Sequence, residues 1–132
     1  MLIWNIAILR FIDLSQYDFL ILRMIISITG LKPKSVFTII PFWLKAIPSL
    51  SQAKNAKGNL HCEVKKIKGI QHTLTAWESE EALKNFVYSG IHLKAIQSFR
   101  KIAVGSTYRY KSETIPSWDE ARRMWEENYR EY

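Results

Sequence analysis

The change of hydrophobic period within the stretch Ile70–Phe99 constrains the fold of this 132-residue chain more than any other feature. The stretch begins with alternating residues, in which Thr73, Thr75 and Trp77 share one side, as they would in a β-strand. Helical spacing begins after Ser79, which is a good N-cap residue and is followed by two glutamates. A strand followed at once by a helix predicts a domain that mixes α and β structure.

A second helical segment, beginning near Gly90, carries the sharpest chemical signal in the sequence. His92, Ile96, Phe99 and Ala103 recur at i, i+4, i+7 and i+11, so they share one face of a helix. His92 is therefore expected to point toward a core or a pocket. We predict it as the catalytic residue, acting as a general base or as a haem ligand. The alternative is a buried histidine that bonds a backbone carbonyl and fixes the break between two helices.

The residues before this stretch predict a β-hairpin made of Asn59–Ile67 and Ile70–Trp77. A Lys-Gly turn joins the two strands, and glycine supplies the positive φ that a two-residue loop needs. The short loop sets the register and places Leu60 opposite Trp77. Neither face of this hairpin is wholly polar, so both faces of the sheet are expected to be covered.

The remaining elements complete an alternating order of strands and helices. We predict a strand at Phe19–Thr29, a helix at Thr38–Ala56 that Pro48 kinks or splits, and a last strand at Val104–Lys111. A C-terminal helix begins after Ser117, where Ser-Trp-Asp-Glu forms a capping box. The order is the ferredoxin-like βαββαβ arrangement of the α+β class, followed by one extra helix.

Length and composition indicate a single domain with a real core. We expect residues 1–18 to be an accessory N-terminal segment and residues 19–132 to form the domain. Charged residues interrupt the apolar N-terminal segment, so no membrane span is predicted. Cys62 is the only cysteine, which excludes an internal disulfide framework and favours a cytoplasmic location. The histidines lack the spacing of a metal site, so no metal is expected.

Four short stretches resemble a known superfamily: FWLKAIPSLSQAKNAKG, HTLTAWES, EALKNFVYSGIH and SWDEA. They are similar to the dimeric α+β barrel superfamily, which includes antibiotic-biosynthesis-monooxygenase-like proteins. Within it the chain most resembles the small spheroidene-monooxygenase-like proteins, over roughly residues 20–125. Trp77, Phe86 and His92 fall where that pattern has its Trp, Phe and His. The resemblance implies a homodimer in which two subunits pair their sheets face to face.

Three functions remain open at this point. The first is a monooxygenase-like enzyme that acts on an apolar small molecule, polyene or aromatic, in the barrel cavity. Its ligand-binding residues would be Trp77, Phe86 and Tyr108, beside His92, and its cofactor would be either none or haem. The second is a non-catalytic dimeric protein, structural or ligand-binding, in which these aromatic side chains belong to the core.

The third function is an RNA-binding module of the same ferredoxin-like topology, which the net charge of +7 favours. Such a module stacks bases on aromatic side chains of its third strand. Here KGIQHTLT has the Lys-Gly start but no aromatic residue. We therefore expect no nucleic-acid partner.

Overall fold

The computed structural model describes residues 23–131, which form one sheet, four α-helices and one short 3-10 helix. In chain order the elements are β1 (Met24–Pro33), the 3-10 helix (Val36–Thr38), α1 (Ile39–Asn55), β2 (Asn59–Ile67), β3 (Ile70–Trp77), α2 (Glu80–Val87), α3 (Gly90–Ile102), β4 (Ala103–Ser112), α4 (Trp118–Asn128) and β5 (Arg130–Glu131).

The sheet has the order β2-β3-β1-β4-β5, and every neighbouring pair is antiparallel. The two strands at the ends of the βαββαβ unit, β1 and β4, therefore lie side by side, with β3 on the other side of β1. The predicted α+β, ferredoxin-like fold is confirmed, including its C-terminal helix. The two-residue β5 extends the sheet at the edge of β4.

Residues 1–22 lie outside the described part of the chain. The predicted accessory segment 1–18 is therefore not described, and neither is the beginning of the strand predicted at Phe19–Thr29. The described part of this strand is β1, which ends at Pro33 and not at the predicted Thr29.

Two helices begin at the predicted capping residues. The Ser79 hydroxyl accepts the backbone N–H of Ala82 at 3.1 Å, and the Ser117 hydroxyl accepts that of Glu120 at 3.2 Å. Each bond satisfies a donor that a helix N-terminus leaves free. Pro48 does not split α1, which continues through it as one helix of 17 residues.

The hairpin has its predicted turn but an irregular register at its far end. Lys68 has φ 49° and Gly69 has φ 81°, the paired positive values of a two-residue hairpin loop. A bulge near the start of β2 places Asn59 opposite Trp77. The prediction that Leu60 faces Trp77 was therefore wrong, because a bulge adds a residue to one strand and shifts its pairing.

Helices α1, α2 and α3 cover one face of the sheet. Trp77 and Ile25 project from the strands into this layer, where they pack against Leu83 and Phe86 of α2. A neighbouring cluster joins α1 to α3, and in it the Phe42 ring lies 5.4 Å from the ring of the α3 phenylalanine. These two clusters form the core on the helical side.

Helix α4 covers the centre of the other face. Ala121 and Trp125 pack against Ile26, Ile28 and Leu74, which are all buried. Helix α4 lies close to the sheet. A Cβ atom added at Gly30 of β1 would lie only 2.6 Å from the Trp125 ring. The face expected to need a second subunit thus receives much of its cover from its own chain.

Candidate functional site

A cavity of about 220 Å³ lies between the sheet and its three covering helices. Its floor is a set of short hydroxyl side chains on adjacent strands: Ser27, Thr29, Thr73, Thr75 and Thr107. They share one face because side chains alternate along a strand and the antiparallel register aligns the strands. Its walls are mostly apolar and come from α1, α2 and α3.

His92 lies on the wall of this cavity, in the first turn of α3. Its backbone N–H donates to the Oε1 atom of Gln52 at 2.7 Å, which ties α3 to α1. Its ring Nδ1 lies 3.3 Å from the carbonyl oxygen of Val87, and its ring centroid lies 4.1 Å from that of Phe86. When Nδ1 carries the proton and donates to this carbonyl, Nε2 is left as a proton acceptor.

The surroundings of His92 favour its neutral form. Burial lowers the pKa of the His92 imidazole below its ordinary value of 6.5, and the Val87 carbonyl opposes this while the Arg109 guanidinium adds to it. A charged ring is costly where water is excluded. The imidazole is therefore free to accept a proton near neutral pH.

Positive charge accompanies the cavity, since Arg100 and Arg109 contribute to its lining and no carboxylate does among the described residues. Arg109 extends from β4 at the exposed rim of the cavity. Two residues earlier on the same strand, the Thr107 hydroxyl lies 3.4 Å from that of Thr29. The cavity thus combines an apolar body with hydroxyl groups and a cation, which suits an anionic or carbonyl-bearing ligand; two of the hydroxyls, those of Thr75 and Thr107, donate to backbone carbonyls of β1.

Of the predicted ligand-binding residues, Phe86 lines the cavity and Trp77 does not. Trp77 is fully buried behind Phe86, and the two rings stack with centroids 4.9 Å apart. The Trp77 Nε1–H donates to the hydroxyl of Thr75 at 2.9 Å. Trp77 therefore supports one wall and one floor residue of the cavity without lining it.

Tyr108 lies on the opposite face of the sheet from His92. Its ring stacks on that of Tyr110 at 5.7 Å, and both tyrosines pack beside the core under α4. The structure therefore brings His92 and Phe86 together at the cavity and leaves Tyr108 on the other side of the sheet.

Sequence reasoning missed Arg109, Gln52 and the hydroxyl floor. A signal for the floor was present in the sequence, because period-two alternation already places Thr107 and Arg109 on one side of the last strand. What the sequence lacked was the register that aligns this strand with β1 and β3. Gln52 gave no signal, because its role depends on the contact between α1 and α3.

The cavity does not fit a haem. Pockets for drug-sized ligands usually measure about 300–1,000 Å³, and a haem is a large, rigid macrocycle. A cavity of about 220 Å³ is smaller than that range. Among residues 23–131, no three His, Cys, Asp or Glu side chains come together as a metal site would require. In the same residues, no helix is both long and apolar enough to span a bilayer.

No protein-family model matches the sequence, and no curated protein matches it either. Solved structures do match the fold. A cofactor-independent oxygenase, SnoaB from Streptomyces nogalater, has a TM-score of 0.59 at 8% identity, covering 72% of this chain and 99% of its own. A "putative antibiotic biosynthesis monooxygenase" from Nitrosomonas europaea has a TM-score of 0.60 at 12% identity, covering 67% and 89% respectively.

A third similar structure is a conserved protein of unknown function from Bacteroides thetaiotaomicron. Its TM-score is 0.61 at 8% identity, and the alignment covers 69% of this chain and 99% of the other. These neighbours confirm, at the level of the fold, the resemblance to antibiotic-biosynthesis-monooxygenase-like proteins. Identities this low show the fold alone, because one fold hosts many chemistries.

Proposed function

We propose that the protein is a cofactor-free, monooxygenase-like enzyme for a small apolar molecule, aromatic or polyene, that carries an acidic CH₂ group beside a carbonyl. The observation that carries this proposal is the placement of a neutral His92 and the cationic Arg109 on one small, mostly apolar cavity. The oxygenase description of the Streptomyces nogalater neighbour supports it.

In this proposal His92 acts as the general base. Its Nε2 takes a proton from the CH₂ group, and the Val87 carbonyl holds the other ring nitrogen and fixes the orientation of the ring. Charge then develops on the carbonyl oxygen of the substrate as an enolate forms. The Arg109 guanidinium stabilises that charge, together with the Ser27 and Thr73 hydroxyls of the floor.

Dioxygen is the co-reactant in the second step. It adds to the enolate carbon and forms a C–O bond, and the resulting peroxide takes up a proton to become a hydroperoxide. Removal of the remaining C–H proton then breaks the O–O bond and leaves a new carbonyl, and the departing hydroxide combines with a proton to form the one molecule of water. The balance is CH₂ + O₂ → C=O + H₂O, in which the carbon is oxidised by four electrons and both oxygen atoms are reduced.

The first step can be tested apart from the second. The probe is 2-tetralone, a two-ring ketone whose CH₂ groups lie beside the carbonyl. Its hydrogens are followed by NMR as they exchange with D₂O in the absence of oxygen. We expect the protein to accelerate exchange, and His92→Gln to lower that acceleration by about 10²–10⁴-fold, as for loss of a general base. Arg109→Gln is expected to lower it by roughly tenfold.

Tyr110→Phe is the matched control, because Tyr110 lies on the other face of the sheet. It should leave the exchange rate unchanged. If the probe raises the thermal midpoint but the protein does not accelerate exchange, the enzyme proposal is wrong and the non-catalytic binder is favoured. With exchange established, oxygen consumption that stays at the buffer rate would refute the second step.

We further propose that the protein works as a homodimer in the cytoplasm. Support for a dimer comes from apolar side chains that remain partly exposed around α4: Met24, Ile70, Tyr108, Trp118 and Met124. A second subunit that shelters them would add to the cover that α4 already gives. The cytoplasmic location is supported by the single free thiol, Cys62.

A further inference from the structure

A line of large apolar side chains lies on the outside of the 3-10 helix and α1. Phe37, Ile40, Leu44 and Ile47 are 89%, 72%, 71% and 61% exposed. Their spacing of three, four and three residues places them along one side of the helical segment. We call these four residues the α1 stripe. At a helical rise of 1.5 Å per residue, the stripe is about 15 Å long.

The α1 stripe is separate from the face of α1 that holds the fold together. The buried residues of α1 are Phe42, Ala46, Ser49 and Ala53, and they line the cavity or pack against α3 and the sheet. A surface helix normally turns a polar side to water. Here a second apolar side faces outward, and contiguous exposed apolar patches of this kind mark sites of interaction.

The residues near the α1 stripe in the chain are basic and not acidic. Residues 23–62 contain no aspartate or glutamate, and α3 contains none either. Lys32 precedes the stripe, and Lys45 lies within the same helix. The Lys34 ammonium donates to the carbonyl oxygen of Arg100 at 2.6 Å, which brings the basic end of α3, Arg100 and Lys101, to the beginning of the stripe.

We propose that the α1 stripe docks the protein on an anionic lipid surface. The apolar side chains would enter the boundary between headgroups and acyl chains, and the flanking lysines and arginine would contact lipid phosphates. Apolar residues on one side with Lys and Arg around them are the composition of helices that lie in a membrane interface. Long basic side chains can reach the phosphates while their stems stay in apolar surroundings.

The basic residues near the α1 stripe favour a lipid surface over a second copy of the chain as the partner of the stripe. A two-fold interface brings the same patch of both subunits together. The α1 stripes would then meet with their basic surroundings facing each other, which is unfavourable because no carboxylate in residues 23–62 is present to compensate. An anionic bilayer compensates the same charges.

The test is co-sedimentation of the full chain with vesicles of phosphatidylcholine, either pure or mixed with phosphatidylglycerol. We expect much stronger binding to the mixed vesicles and loss of most of that binding in high salt. Phe37→Ser/Leu44→Ser should weaken binding by roughly tenfold or more, since two large apolar side chains no longer enter the lipid. Lys32→Gln/Lys101→Gln should weaken it by roughly fivefold per charge on the mixed vesicles alone.

Tyr88→Ser/Leu60→Ser is the matched control, because these apolar side chains are 70% and 51% exposed but lie outside the stripe. It should bind like the parent. Thermal unfolding of each variant shows that the fold is kept. Binding that survives in Phe37→Ser/Leu44→Ser would overturn the proposal and assign the contact to another segment, such as residues 1–22. Absence of vesicle binding, with a solution mass that falls in the same variant, would assign the stripe to a second copy.

Discussion

Among individual residues, the half-buried His92 and the fully buried His72 have contrasting surroundings. His92 bonds a backbone carbonyl and lines the cavity. His72 is buried on the other face of the sheet, with its ring edge-on to that of Trp125 at 4.7 Å. Neither ring nitrogen of His72 has a hydrogen-bond partner among the described residues. The Nε atom of Arg122 is also buried without a partner among them. Such unpaired groups cost stability.

Both histidines make stability depend on pH. Burial lowers the pKa of His72 below 6.5 and the Arg122 guanidinium lowers it further, while the Thr29 backbone and the Glu126 carboxylate partly oppose this. Burial also lowers the pKa of His92. Below about pH 6.5 the unfolded chain therefore binds protons that the folded chain does not. The free energy of unfolding is expected to fall as the pH falls through this range.

Urea unfolding of the parent and of His72→Leu at about pH 7.5 and about pH 5.5 tests this. Leucine fills a similar volume without the unpaired nitrogens. We expect His72→Leu to be as stable as the parent or about 1 kcal/mol more stable at the higher pH, and to lose less stability on acidification. Equal losses in the two proteins would show that His72 does not contribute to the pH dependence.

At the scale of elements, the docking of α4 depends on the absence of a side chain in β1. A Cβ at Gly30 would lie 2.6 Å from the Trp125 ring and 3.2 Å from the His72 ring. The Trp125 indole N–H also donates to the carbonyl oxygen of Ser106 at 3.4 Å, so the ring is held at β4 as well. The helix can lie this close to the sheet only because β1 has a glycine there.

Gly30→Ala should therefore destabilise the protein by about 1–3 kcal/mol, as overpacking of a filled core does. Chemical unfolding measures the change. The added Cβ atom would clash with the Trp125 ring. When Gly30→Ala is introduced into the Trp125→Leu variant, which is itself less stable than the parent, it should therefore lower the free energy of unfolding much less. An equal cost in both backgrounds would place the strain in the backbone of β1 instead.

At the scale of the whole molecule, the sheet has two covered faces with different roles. One face and three helices enclose the cavity, and α4 covers the centre of the other. An RNA-binding module of this topology needs a sheet face that is open to bases. The position of α4 over β1 and β3 therefore argues against the third hypothesis.

The partly exposed apolar side chains around α4 lead us to expect a dimer. Light scattering should give twice the 15.5 kDa mass of the chain. The Phe37→Ser/Leu44→Ser variant should keep that mass, because the α1 stripe lies on the helical side of the sheet. A single-chain mass at every concentration tested would contradict the dimer.

Local sequence patterns predict the order of strands and helices, the caps at Ser79 and Ser117, and the position of His92 on an inward-facing side. These features depend on local spacing and on hydrogen bonds between near neighbours, which periodicity records directly. The hairpin turn is local in the same sense. The bulge that moved Leu60 away from Trp77 was not predicted, because a local pattern does not show where a strand takes an extra residue.

Which residues meet at the site depends on contacts between parts of the chain that are far apart in sequence. Arg109 joins His92 because β4 lies beside β1, and the pairing of strands far apart in the chain has no local signature. Trp77 stands behind Phe86, and Tyr108 lies across the sheet, because packing assigns each face its own helices. The sequence could identify a titratable side chain that faces inward, whereas long-range contacts alone determine what surrounds it.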